Sequence, residues 1–209
     1  MTGTFSNAWE EVALVTIQKL AGTAYQFAAI TETIDIGEPD YPGESIPNLA
    51  GGRVWKQAPQ EDGEITLEIY PTNLDTASAG NGLFQQFTGG TWDTSQPLAT
   101  DIAFDAGVSD ADRTRDKFMV AIMWTTDVAQ TSAAGATTTA DATALRFYAK
   151  ECRITSHKSS FTDGILKTTV TFKFPAMNRT GDTKTHAWES TNDGDGAQAL
   201  PALTYSASL

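Results

Sequence analysis

Few residues in this 209-residue chain have the types and spacing that chemistry needs. The two histidines, His157 and His186, lie outside any HxxxH, HExxH or CxxC setting, so they build no zinc site. His157, near a strand end beside Lys158, reads as solvated. The single cysteine, Cys152, falls on a predicted strand, can form no disulfide within the chain and reads as a small buried apolar side chain. A Ser/His/Asp site needs only a meeting in space, but no GxSxG elbow marks one. Asn192-Asp193-Gly194-Asp195-Gly196 resembles a calcium loop only faintly and lacks the later bidentate glutamate, so it reads as an acidic turn. Gly80, Gly82, Gly89 and Gly90 surround a predicted helix without GxGxxG or GKS/GKT spacing. Asn178-Arg179-Thr180 matches a glycosylation acceptor, but residues 1–10 have no basic region or apolar block to act as a secretion signal. We expect no enzyme, no metal and no cofactor, and a chain built to be a shape.

The elements that would position any site are strands. The clearest is the second arm of a long hairpin over residues 144–175. Leu166, Thr168, Val170, Phe172 and Phe174 alternate with Lys167, Thr169, Thr171 and Lys173, which is one buried and one wet face. Asp163-Gly164 supplies the turn and Pro175 ends the ladder. In the first arm Leu145 and Phe147 share one parity while Cys152 and Ile154 take the other, which predicts a β-bulge between Ala149 and Glu151. Residues 9–20 read as a strand with Leu14 on one face and Val15 and Ile17 on the other. Residues 25–36 read as a longer strand whose apolar parity switches midway, as where a strand passes from one sheet to another.

Residues 37–52 carry prolines and glycines that argue against regular structure, yet Tyr41, Ile46 and Leu49 are too apolar for a wet loop. They read as a docking loop covered by a partner. Residues 53–57 form a short strand. Residues 64–70 form a clear one, with Ile65, Leu67 and Ile69 inward and Glu64, Thr66, Glu68 and Tyr70 outward. Residues 73–90 hold the best helix, with Leu83, Phe84 and Phe87 on one stripe. Residues 91–116 are an Asp-rich connector. Residues 118–124 are continuously apolar, a strand buried on both faces. Residues 130–141 read as a flexible loop or hairpin tip, 178–196 as polar with Trp188 as their one large apolar residue, and 204–209 as a last short strand or a tail. Many strands, one short helix and no βα rhythm predict a mainly β chain, an antiparallel β-sandwich or open barrel with one flanking α-helix.

A formal net charge of −12 and a pI near 4.4 repel nucleic-acid backbone and anionic membrane, which excludes a DNA grip but permits a surface that DNA passes without sticking. No apolar run reaches the ~20 residues of a membrane helix. We expect synthesis in the cytoplasm and no membrane partner.

The pattern resembles the major tail tube protein of a long-tailed, siphovirus-like bacterial or archaeal virus. The likeness rests on the opening strand pair over residues 12–36; the Gly/Pro loop followed by Gly51-Gly52-Arg53-Val54 and by Gly63-Glu64-Ile65-Thr66-Leu67; the segment Gly82-Leu83-Phe84-Gln85-Gln86-Phe87; and Val170-Thr171-Phe172-Lys173-Phe174-Pro175-Ala176. The resemblance implies a single tube-like β domain over residues 1–209 that completes a larger barrel on oligomerisation. Copies of this chain would form hexameric rings stacked into a tube through which genomic DNA passes, in the tail of a virion assembled in the host cytoplasm with other tail proteins. Tyr41, Ile46 and Leu49 would then lie at a subunit or ring interface, Glu64 and Glu68 would face an acidic lumen, and residues 91–116 would be a surface insertion. A tail terminator or a contractile tube protein is a neighbouring reading. A carbohydrate-binding β-sandwich stacking sugars on Trp55, Trp92 or Trp188 is the alternative from another class.

Overall fold

A computed structural model of the chain describes residues 13–20, 24–27, 31–70, 117–137, 143–191 and 198–206. Its strands in chain order are β1 (Ala13–Lys19), β2 (Ala24–Phe27), β3 (Thr31–Gly37), β4 (Gly43–Pro47), β5 (Arg53–Gln57), β6 (Gly63–Ile69), β7 (Phe118–Thr125), β8 (Ala144–Thr162), β9 (Ile165–Phe174) and β10 (His186–Ser190). The expected helix over 73–90 and the connector over 91–116 lie outside the described residues.

All pairings are antiparallel. One sheet runs β2-β1-β7-β8-β9-β6-β3 with β10 added on β8, and β4 and β5 form a separate two-stranded ribbon. The large sheet curls into a half-barrel. Its two halves are joined through β8, which is 19 residues long. The first part of β8, to Cys152, pairs with β7 and β10, and the part from Arg153 pairs with β9. The predicted bulge is there: the register against β7 slips between Ala149 and Cys152, and Glu151 adopts φ 61°. An extra residue on one strand leaves one ladder position unpaired and turns the strand. The buried Glu151 carboxylate is held by the Lys117 ammonium and by the Tyr205 hydroxyl, which donates at 3.4 Å. The single strand expected over residues 25–36 is two strands: β2 pairs with β1 at one end of the large sheet and β3 with β6 at the other, so the parity switch marks a passage between the ends of one sheet.

The two halves enclose one core. Val15, Ile17, Val120, Ile122 and Phe147 meet Ile65, Leu67, Val170, Phe172 and Phe174, with Phe118 set edge-on to Phe172 at 6.1 Å. Alternation in β6 and β9 leaves their other face wet, whereas β7 is buried on both faces as its unbroken apolar run requires. A second apolar cluster covers the back of β1 and β7, where Leu14, Met119 and Met123 pack under Ala133, Ala134, Leu200 and Tyr205.

That covering corrects two expectations. The described part of residues 130–141 is a packed strap, not a loose tip: Ala133 N–H donates to Thr16 Oγ1 at 3.0 Å and Leu203 N–H to Ala134 O at 2.8 Å. The described end of the chain is a seated coil rather than a strand, with Tyr205 2% exposed. Arg146 joins these layers from a fully buried position. Its Nε donates to Glu189 Oε2 at 2.8 Å, and its other nitrogens donate to Gly135 O at 3.0 Å and Pro201 O at 2.8 Å.

Candidate assembly surfaces

The residues weighed for chemistry do not converge. His157 is not a solvated strand-end residue: it lies within β8, opposite buried Val170, on the inward face, where desolvation lowers its pKa. His186 is buried against Phe147 and Phe174, and desolvation lowers its pKa too, against the opposing pull of Glu38. Cys152 is buried as expected, its thiol donating to Ala149 O, and burial pushes its pKa up. Among the described residues no group of three or more His, Cys, Asp or Glu side chains can hold a metal ion, and no helix is long and apolar enough to cross a membrane. The acidic turn at 192–196 lies outside them.

What the fold does present is a four-stranded sheet with one wet face, in the order β8-β9-β6-β3. Its rows read Lys158–Thr169–Glu68–Thr33 and Ser156–Thr171–Thr66–Asp35, followed by Lys173–Glu64–Gly37. Glu64 and Glu68 stand together on this face, as their parity predicts. They are not bare: Lys173 Nζ lies 3.5 Å from Glu64 and Lys167 Nζ lies 3.0 Å from Glu68. Thr66 and Thr171 hydroxyls meet at 3.3 Å. The described wall is balanced in charge rather than acidic, because Lys158, Lys167, Lys173 and Arg153 stand against Asp35, Glu64 and Glu68.

Both margins of this sheet are open among the described residues. The outer side of β3 has no ladder partner. The margin of β8 that pairs with β7 as far as Cys152 has none beyond it. Such rows of unpaired N–H and C=O groups are templates for another strand.

The second surface is the β4–β5 ribbon, which corrects the expectation of irregular backbone over residues 37–52. Gly43 and Pro47 sit at the ends of β4, where neither interrupts the ladder. Asn48 caps the turn, its Oδ1 accepting from Gly52 N–H at 2.8 Å, while Gly51 takes φ 79°. Every residue of both strands is exposed. Ile46 stands opposite Val54, and Tyr41 lies in the stem. Leu49 at the tip is fully exposed, and Val54 and Trp55 are exposed at 56% and 65%. Val54 shares the face of Ile46, while Trp55, opposite Ser45, adds apolar surface on the ribbon's other face; the short strand at 53–57 is their signal in the sequence. A solitary two-stranded hairpin is marginal in water. Trp188 is a poor sugar platform, since its ring stacks on Trp124 at 5.9 Å and packs on Phe147 at 4.9 Å. Trp92 lies outside the described residues.

No known family profile matches the chain, and no curated protein matches it in sequence. Solved structures do share its fold. The tube-terminating cap of the anti-feeding prophage aligns with a TM-score of 0.52 and 9% identity, over 91% of this chain and 95% of that one. The sheath/tube terminator of the PVC extracellular contractile injection system aligns with a TM-score of 0.50 and 10% identity, over 89% of this chain and 98% of that one. The fold is therefore one also used in contractile injection systems, wider than the siphovirus-like tails that the sequence pattern resembles.

Proposed function

We propose that this chain is a structural, non-catalytic ring subunit of a tail or injection tube, forming hexameric rings whose lumen is lined by the wet face of the β8-β9-β6-β3 sheet. The observation that carries the reading is the pair of open margins on a sheet with one apolar and one polar face. Four antiparallel strands place β8 and β3 in opposite directions. The β3 of a neighbouring copy therefore continues the antiparallel alternation when it joins β8, and the contact is heterologous, the kind that closes rings. A closed ring leaves no free edge, and a large strand number leaves an open bore.

Glu64 and Glu68 face that bore in this reading. Their lysine partners make the lining charge-balanced, so DNA phosphates find neither an attractive patch nor a strong barrier. The apolar ribbon, with Tyr41, Ile46 and Leu49, docks on the next ring. The assembly belongs to a virion tail or a related injection device, put together with other tail proteins in the cytoplasm of the producing cell.

A second reading has its own support, because the two aligned structures described above are a tube cap and a terminator. A cap subunit forms one ring and stops; a tube subunit forms stacks. Electron microscopy and mass photometry of the purified chain separate the two. Open-ended tubes establish the tube role, and single rings of about six times the 22.4 kDa chain mass establish the cap role. A monomer at every concentration rejects both.

A further inference from the structure

Within the four-stranded sheet the central charges are matched. Glu64 pairs with Lys173 and Glu68 with Lys167, both between β6 and β9. Two exposed charges on the same wet face have no ion-pair or hydrogen-bond partner among the described residues: Asp35 on β3 and Lys158 on β8. They have opposite signs and stand on the two opposite open margins.

We propose that Lys158 of one copy pairs with Asp35 of the next, and that this pair sets the register of the joint between subunits. The inference rests on the ring reading above and adds the residues and the register. Three constraints converge on it. Side-chain parity comes first: Lys158 is opposite Thr169 and Asp35 opposite Thr66, both on the wet face, so an edge-to-edge joint that continues the sheet keeps them on one side. Register comes second. Lys158 and Thr33 occupy one row and Asp35 the next. An unstaggered joint sets Lys158 diagonal to Asp35, about 7–8 Å away between backbones. A two-residue stagger, of the kind barrel closure demands, sets them directly opposite. Both relations already support ion pairs here, since Lys173 is directly opposite Glu64 and Lys167 is diagonal to Glu68. Exclusion comes third. A one-residue slip would bring Lys158 opposite Ile34, which packs against the core, and would turn every polar side chain of the joint to the wrong face.

The test uses Asp35→Lys, Lys158→Asp and the double reversal on the full chain. Each single reversal sets like charges across the joint and raises the protein concentration needed for rings at least tenfold; the double reversal returns it to within about threefold of the parent. A cysteine pair, Asp35→Cys with Lys158→Cys, provides a second readout. Within one chain these positions are three strand spacings apart, about 14 Å, too far for a disulfide. Oxidation therefore yields a ladder of linked copies. Single reversals that assemble like the parent, a double reversal no better than either single, or no ladder from rings of the cysteine variant would overturn the proposal while leaving ring formation intact. A parent chain that never leaves the monomer would overturn the ring reading and the joint together.

Discussion

Trp188 donates its indole N–H to Glu38 Oε1 at 2.7 Å, tying β10 to the stem of the exposed β4–β5 ribbon across 150 residues of chain. The stem continues as Ala58 N–H to Pro42 O at 2.9 Å and Glu61 N–H to Asp40 O at 3.0 Å. The ribbon is thus carried on a short stem whose side-chain anchor on the body is Glu38.

Glu38→Ala removes the acceptor and leaves the Trp188 ring stacked on Trp124 and Phe147. The global unfolding midpoint should move little, because the bond is exposed. Amide exchange in residues 43–57 should accelerate several-fold, since local opening of a ribbon with few buried contacts is governed by its anchors. Hydrogen exchange read by mass spectrometry checks this; unchanged protection would show that the stem alone fixes the ribbon.

Arg146 is the largest fully buried side chain among the described residues. Arg146→Met leaves the part-buried Glu189 carboxylate and the carbonyls of Gly135 and Pro201 without their donor, which should cost roughly 1–3 kcal/mol. Arg146→Met with Glu189→Met should recover part of that loss, with both carbonyls still unpaired. Denaturant unfolding of the three proteins provides the comparison.

Two glycines crowd aromatic rings with different consequences. A Cβ at Gly63 would lie 2.3 Å from the ring of Phe174, which is fully buried; a Cβ at Gly43 would lie 2.5 Å from the ring of Trp55, which is 65% exposed. Gly63→Ala must displace packed core and should cost about 1–3 kcal/mol. Gly43→Ala only swings an exposed ring aside and should leave the melting temperature nearly unchanged.

Parity carried most of the fold into the sequence. The unbroken run of β7, the alternation of β6 and β9, the bulge at Glu151 and the parity change between β2 and β3 are each a change or constancy of side-chain period, which is a local property. β10 was hidden because His186–Ser190 holds one large apolar residue and becomes a strand only by pairing with Leu145–Ala149. The burial of Arg146 was hidden for the same reason, as its partners lie 43 and 55 residues further along. Glu64 and Glu68 were legible as wet, but their lysines required the β6–β9 register. Asp35 and Lys158 show as polar in the alternation; only the strand order places them on opposite margins.

The apolar ribbon should matter to assembly and not to folding. Leu49 is fully exposed and Ile46 is 41% exposed, and neither belongs to an apolar core cluster. Leu49→Asp with Ile46→Asp should keep the melting temperature within about 2 °C, as surface changes usually stay within ~0.5 kcal/mol. The same variant should form rings that fail to stack. Tubes of normal length in electron micrographs would remove the ribbon from the ring-to-ring contact.

Stability should also record buried His186 and half-buried His157 in a defined pH window. Desolvation lowers the pKa of both His157 and His186 below the ordinary value of 6.5. The folded chain therefore binds fewer protons than the unfolded chain as pH drops through about 6.5, so the folded state loses stability on acidification and keeps its full share above that range. Asp182 acts in a separate window. Hydrogen bonds from Asn178, Thr180 and Thr183 hold its carboxyl below the usual value of 3.8, so its contribution is present above that pH and is lost only as pH falls further. The urea midpoint should accordingly hold from pH 8 to 7, begin to fall as pH drops through 6.5, and fall again as it drops below 3.8. His157→Gln combined with His186→Gln should flatten the first fall and leave the second. A parent midpoint that stays level through pH 6 would show that neither imidazole is desolvated in the folded chain.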